Sequence, residues 1–332
     1  MFPVTAPEPI YLKAIPEVTL PVTGDTPVTF ITAEQYTGTV TWSPAHATFA
    51  ANTPYTANIT LTAKPGYTLD GVGQNFFTAA GAASVNNAAN SGNVTAVFPA
   101  TTPVYIITGT SPNFTAERGT GGTVTSGVIQ TVIDAIRSDT AGNACTVRFG
   151  NGEVLNIGST AITFNGAWGA LTLGGKISGT ASSYVIITTD TVGVTSTADI
   201  ASASVSSSKR VISHGSTGMF TIAGGTISCG SGGPLVTNSS SGTVTISGGT
   251  LSSNNGGGVK AIYNSSTGNV IISGGTVNAG GNDLTIDNYS TGNVTITGGT
   301  VSVAGTGYAY WSPSGAVSVT SPPAVIIGLT NP

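Results

Sequence analysis

Apolar and polar positions in the last third of the chain recur with a long period. Four segments, STGMFTIAGGTIS (216–228), SSGTVTISGGTLS (240–252), STGNVIISGGTVN (266–278) and STGNVTITGGTVS (290–302), each set two short apolar strands around a Gly-Gly-Thr. The Gly-Gly pairs begin at 224, 248, 274 and 298, giving steps of 24, 26 and 24 residues. Such a step is too long for a hairpin array and suits one turn of a three-sided solenoid. A strand shows its faces alternately, so alignment on Gly218, Gly242, Gly268 and Gly292 assigns the inward columns. Phe220/Ile222, Val244/Ile246, Val270/Ile272 and Val294/Ile296 form two, and Ile227, Leu251, Val277 and Val301 form another. A third strand carries Ile212, Val236, Ile262 and Ile286, each followed two residues later by His214, Asn238, Asn264 or Asn288. Stacked Asn side chains can hydrogen-bond from coil to coil, and Asn tolerates a left-handed corner, so this column reads as structural.

A degraded coil follows, with Gly315, Val317 and Val319 in register, and the repeat is expected to stop at Ser321-Pro322-Pro323. Strands stacked this way must be parallel, and parallel crossovers are right-handed. The pattern predicts a right-handed parallel β-helix of roughly eight turns at ~4.8 Å each over about 140–330, regular over about 211–320.

Upstream the period changes. Prolines at 3, 7, 9, 16 and 21 exclude helix near the start, so residues 1–20 read as an extended segment apolar enough to dock. From about 14 to 102, strand-like runs at 37–45, 55–63, 76–85 and 92–100 alternate with Pro, Gly and Asn turns, the pattern of an antiparallel β-sandwich. Trp42, Ile59, Leu61, Val94, Val97 and Phe98 are its expected core. Residues 103–126 bridge to a helix over about 128–137, with Ile129, Val132, Ile133 and Ile136 in one stripe and Ser126 as the expected N-cap. A lone helix before the coils can cover the open end of the solenoid.

The segment GYTLDGVGQNFFTAAGAASVNNAANSGNVTAVFPATT (66–102) resembles a module of secreted bacterial surface proteins with Ig-like sandwich domains. The TGNVTISGGTVS-type repeats, with the segments from IQTVIDAIRS onward, look like the adhesin-like β-helical regions that follow such modules. The resemblance implies an extracellular or cell-surface setting and supplies no catalytic residues. The expected chain is all-β: an arm at 1–13, an Ig-like β-sandwich at 14–102, then a right-handed parallel β-helix at 103–332 with a short capping α-helix.

Charge sharpens this reading by subtraction. Charged residues are 7% and the net charge is -4, which leaves no basic footprint for nucleic acid and no polybasic membrane patch. No stretch approaches the ~20 apolar residues of a membrane span. Met1-Phe2-Pro3 lacks a signal-peptide pattern, so either a signal has been removed before it or the protein is not exported. Cys145 and Cys229 match no metal spacing and are expected as small buried side chains, with a disulfide or a reactive thiol as alternatives.

Enzyme chemistry is the first alternative to test, because glycoside hydrolysis needs two carboxyl groups about one bond. The regular coils hold only Asp283 and Asp287, expected as solvated surface residues, and Lys260 as the one cation. Asp190, Asp199, Lys176, Lys209 and Arg210 precede them, Lys209-Arg210 could contact an anion, and His214 sits in the Asn column as a corner residue before a base. No catalytic, cofactor or metal site is assigned. Two surfaces remain. Thr226, Thr250, Thr276 and Thr300 form an outward ladder, backed by Ser228, Ser252, Asn278 and Ser302, which resembles ice-binding faces but is most simply a polar strand surface. Tyr263, Tyr289, Tyr308, Tyr310 and Trp311 gather toward the last coils, where they can plug the solenoid or stack on a glycan or a protein.

The expected function is a non-enzymatic structural or adhesive protein that assembles through its terminal strands, 1–20 and Ala324-Val325-Ile326-Ile327-Gly328-Leu329, or docks them on its own domains. The alternatives are a carbohydrate-binding or carbohydrate-active β-helix and, behind them, an ice-binding solenoid. Expected partners are further copies of the chain, or a glycan or surface protein.

Overall fold

A computed structural model describes residues 6–180, 184–202, 210–230, 233–253, 260–282, 284–320 and 324–330. The chain divides into two compact units, Met1–Pro103 and Val104–Pro332.

The first unit is built on a five-stranded antiparallel sheet in the order Phe30–Thr32, Tyr36–Ser43, Tyr55–Ala63, Asn93–Phe98, Ser84–Asn87. Alternation along the long strands buries Tyr36, Val40, Trp42, Tyr55, Ile59, Leu61, Val94 and Phe98 on one face. Val97 lies on the opposite face and is exposed, because its inward neighbours are Ala96 and Phe98. Of the expected strand at 76–85 the structure has the start of Ser84–Asn87 and an isolated parallel bridge between Thr78 and Ala14, and Phe77 beside that bridge is buried.

The unit's other sheet is a two-stranded parallel pair, and the N-terminal segment supplies one of its strands. Glu8–Pro9 pairs in parallel with Tyr67–Thr68. The backbone N–H groups of Tyr11 and Leu12 donate to Oε1 of the buried Gln35 at 2.9 and 2.8 Å. Ile10, Ile15 and Val18 are buried in the same core, so residues 6–20 are docked on their own unit rather than extended away from it.

The second unit is a parallel β-helix of about seven turns. Each regular coil contributes three strands, such as Ile212–His214, Phe220–Ile222 and Thr226–Cys229, to two sheets of parallel rungs. The predicted columns pair in register: Phe220, Val244, Val270, Val294 and Val317 in one, Ile227, Leu251, Val277, Val301 and Ile326 in another. Between the second and third strands the chain turns at the Gly-Gly pairs, whose second members Gly225, Gly249, Gly275 and Gly299 hold φ of +72°, +73°, +72° and +75°. A side chain there is strained by the backbone alone.

The corner after the first strand is held by the Asn column. Asn238, Asn264 and Asn288 are buried, and each amide donates to the carbonyl four residues on, at Gly242 (2.9 Å), Gly268 (2.7 Å) and Gly292 (2.6 Å). Links also run between coils, from Asn264 Nδ2 to Asn288 Oδ1 at 2.6 Å and from Asn288 Nδ2 to Ser312 Oγ at 2.7 Å. The glycines let coils approach: a Cβ on Gly268 would overlap the Gly242 carbonyl and the Asn238 amide.

Both ends of the repeat differ from expectation. Residues 104–127 are not a bridge; they form antiparallel strands Val104–Thr110, Asn113–Arg118 and Thr123–Gly127, the first of which pairs in parallel with Cys145–Asn156. The helix runs Ile129–Thr140 and buries the predicted stripe. Its N-cap is Val128 with no side-chain bond, because Ser126 is still in a strand with its Oγ 3.0 Å from Thr115 Oγ1. Gln130 on this helix donates to the Thr163 carbonyl and accepts its N–H, both at 2.9 Å. Strand Ile162–Phe164 is the first of its sheet, so Gln130 supplies the bonds a further strand would have made. Asp139 accepts from Tyr105 Oη at 2.8 Å and Arg118 Nε at 3.0 Å, tying the helix to the first strands, and Arg118 holds its carboxyl below the usual range.

At the other end the repeat continues past the prolines. Ser321-Pro322-Pro323 lie outside the described residues, and Val325–Ile327 resumes as the third strand, paired with Thr300–Ser302. The apolar tail is therefore docked in its own coil.

Asn264→Leu removes the donor from the Gly268 carbonyl and from Asn288 Oδ1, both in the interior. A buried acceptor left without a donor costs about 1–3 kcal/mol, so the solenoid is expected to lose about 2–4 kcal/mol in urea unfolding followed by circular dichroism. A loss below about 0.5 kcal/mol would show that the ladder is dispensable.

Candidate functional site

The aromatic residues separate into two roles. Tyr310 stands under Ile286 in the inward column and packs against the core. Tyr263 and Trp311 belong to the outward column, in which Thr237, Tyr263, Asp287 and Trp311 follow one another on successive coils. Tyr289 is 65% exposed, and its ring lies 6.0 Å from that of Trp311 at an interplanar angle of 23°. Tyr308 pairs with Leu284 in the rung register. Trp311, Tyr308, Leu284, Asn282, Thr306 and Gly307 line an open groove of about 340 Å³.

Asp287 is not the solvated residue expected from the sequence. It is 3% exposed, flanked in its column by Tyr263 and Trp311, and ion-paired with Lys260, whose Nζ also lies 4.8 Å above the Tyr263 ring. A buried carboxylate needs such a partner. Its Oδ1 has no hydrogen-bond partner. Asp283 lies outside the described residues, as does Lys209.

Other polar side chains have backbone or side-chain partners of their own. Asp190 Oδ2 accepts from Gly166 N–H and Asp199 Oδ1 from Thr226 N–H, both at 2.7 Å. Arg210 donates to Tyr184 Oη at 2.7 Å. His46 Nδ1 is 2.6 Å from Tyr55 Oη. Cys145 is buried, which pushes its thiol up to about 12, and Cys229 is buried with Sγ 3.8 Å from the Gly233 carbonyl. Among the described residues no three His, Cys, Asp or Glu side chains gather to hold a metal, and no helix is long and apolar enough to cross a membrane.

Thr226, Thr250, Thr276 and Thr300 are in register as one row. Asp199 belongs to the strand above and Val325 follows on the rung below, so the hydroxyl row is four long. A second row was missed: Thr172, Thr195, Thr221, Thr245, Ile271 and Thr295, between the two apolar columns. The central residue of each x-Thr-x strand was its signal.

His214 occupies the top of the Asn column, with Nδ1 2.9 Å from Thr188 Oγ1 and Nε2 without a partner. Burial pushes its pKa down to about 4. Comparisons with protein-family models, with curated proteins and with solved structures find no significant match.

Because His214 is neutral in the fold and protonates more readily when unfolded, its contribution to stability is constant above about pH 6.5 and falls as the pH drops toward 4. The shift corresponds to about 3 kcal/mol. His214→Asn, which matches the other corners, is expected to remove that part of the pH dependence in urea titrations from pH 7 to 4. Identical slopes for both proteins would contradict the neutral buried imidazole.

Proposed function

We propose that the chain is a non-enzymatic structural or adhesive protein of a bacterial cell surface, with the β-helix serving as a stiff carrier for a binding patch on its last coils. The observation that carries this reading is the gathering of Tyr289, Tyr308 and Trp311 beside one groove on a unit whose other outward rows are largely Thr and Ser. Exposed aromatic side chains on a rigid face are what binding surfaces use, since they add contact area at little entropic cost. The cell-surface setting rests on the likeness of residues 66–102 and of the repeats to secreted surface modules, and on the sparse charge.

The carboxylates weigh on the same side. Asp190 and Asp199 hold backbone N–H groups, and Asp287 is neutralised by Lys260, whereas a hydrolase needs one carboxyl protonated and a second free on either side of a bond. Assembly through the terminal strands would require undocking Glu8–Pro9 from Tyr67–Thr68, or Val325–Ile327 from Thr300–Ser302. A single docked chain is the simpler state.

Antibody to the chain is expected to label intact producing cells, and the purified protein is expected to release no reducing ends and no unsaturated uronate from a polysaccharide panel. Sustained product formation that is lost in Asp287→Asn would replace this reading with an enzyme.

A further inference from the structure

Resting on the reading of the last coils as a binding surface, we propose that the groove between Asn282, Leu284, Thr306, Tyr308 and Trp311 binds an uncharged oligosaccharide, with Tyr289 stacked on Trp311. The walls supply what a pyranose presents. Its ring has an apolar C–H face that packs on aromatic rings, and the groove offers those of Tyr308 and Trp311, with Tyr289 stacked on Trp311 at 6.0 Å between centroids. Its hydroxyls need donors and acceptors at the edge, where Asn282 and Thr306 stand exposed. Asn282 is itself fixed, because its Oδ1 accepts the Thr306 N–H at 3.2 Å.

Charge selects against acidic ligands. Among the described residues the groove lining contains no acid and no cation, and the nearby Lys260 is occupied by Asp287. A uronate or an acidic peptide therefore finds no counter-charge, and leaving its charge unpaired against aromatic walls is costly. Size points the same way. The groove holds about 340 Å³ and its lining comes from two successive coils, 282–284 and 306–311, about 5 Å apart, which confines it to a short stretch of a glycan. A protein partner needs about 800 Å² on each side, more than six lining residues present. Asp287 Oδ1, buried without a hydrogen-bond partner, lies in the column between Tyr263 and Trp311, and its carboxylate is ion-paired with Lys260.

The test is calorimetry of the full chain with neutral hexaoses (β-1,4-glucose, β-1,4-N-acetylglucosamine, β-1,4-xylose, α-1,6-mannose) and with oligogalacturonate. At least one neutral hexaose is expected to bind with Kd of about 10 µM to 1 mM, changing less than twofold between 50 and 500 mM NaCl. Trp311→Ala is expected to weaken it at least tenfold. Tyr289→Ala, at a side chain too exposed to hold the fold, is expected to weaken it about three- to tenfold, and Tyr184→Ala to leave it unchanged. The proposal is overturned if no neutral hexaose binds at 1 mM, if both patch variants bind like the parent, if oligogalacturonate is preferred and released by salt, or if the patch variants instead abolish association between copies of the chain. Absence of glycan binding with cell labelling intact and no turnover removes the ligand assignment alone; turnover of a bound glycan removes the non-enzymatic reading and keeps the site.

Discussion

Each coil of the solenoid must turn a corner whose backbone carbonyl faces the interior, and the rest of the structure depends on how that carbonyl is satisfied. A buried amide oxygen without a donor costs as much as a good contact contributes. Here an Asn side chain four residues upstream reaches across the corner to it, at Gly242, Gly268 and Gly292 in turn. That geometry fixes the sequence spacing. It also explains the glycines, because the corner lies so close to the coil above that a Cβ at Gly242, Gly268, Gly292 or Gly315 would overlap a backbone carbonyl. Once the corners are in register, the apolar columns follow.

A stack of parallel strands is only as sound as its first edge, and this chain closes that edge with side chains as well as strands. The antiparallel strands Asn113–Arg118 and Thr123–Gly127 extend one sheet past its first parallel rung. The other sheet begins at Ile162–Phe164, where Gln130 meets the N–H and the carbonyl of Thr163 together. An unpaired strand edge invites association with another chain, so a helix that carries an amide to this point limits growth of the sheet there. Its position is held by Ile129, Val132, Ile133 and Ile136 inside the core and by Asp139 against Arg118 and Tyr105 outside it.

The repeat was legible because it is enforced by a local rule that each coil obeys separately. Gly218 and its counterparts, the Asn column and the alternation of Phe220, Thr221 and Ile222 could each be read at one coil and checked at the next. The rest was hidden where contacts are made once. Nothing in the run 103–126 announces that Val104–Thr110 pairs with a strand some forty residues on, and Ser126 looked like a cap because the strand it ends was not visible. Val97 was misplaced by one position, which in a strand is the whole distance between core and solvent. The burial of Asp287 was within reach: Tyr263, Asp287 and Trp311 are spaced by the coil step, so the acid had to lie between two rings.

That last row shows why the solenoid and its surface chemistry are separable. A parallel β-helix stacks the same sequence position at intervals of about 4.8 Å, so one substitution per coil suffices to write a chemical row on an outward face without touching the inward columns. Before the last coils this row holds Thr163, Ile187, Ser213 and Thr237, and the backbone corners beside it do the structural work. At the last coils the same row becomes Tyr263, Asp287 and Trp311, with Asn264 and Asn288 still in the adjacent corner. Residues that hold the coil are therefore indifferent to what its outer face carries. The aromatic patch is then a local change in surface chemistry on an unchanged scaffold, set at one place among rows largely of threonine and serine.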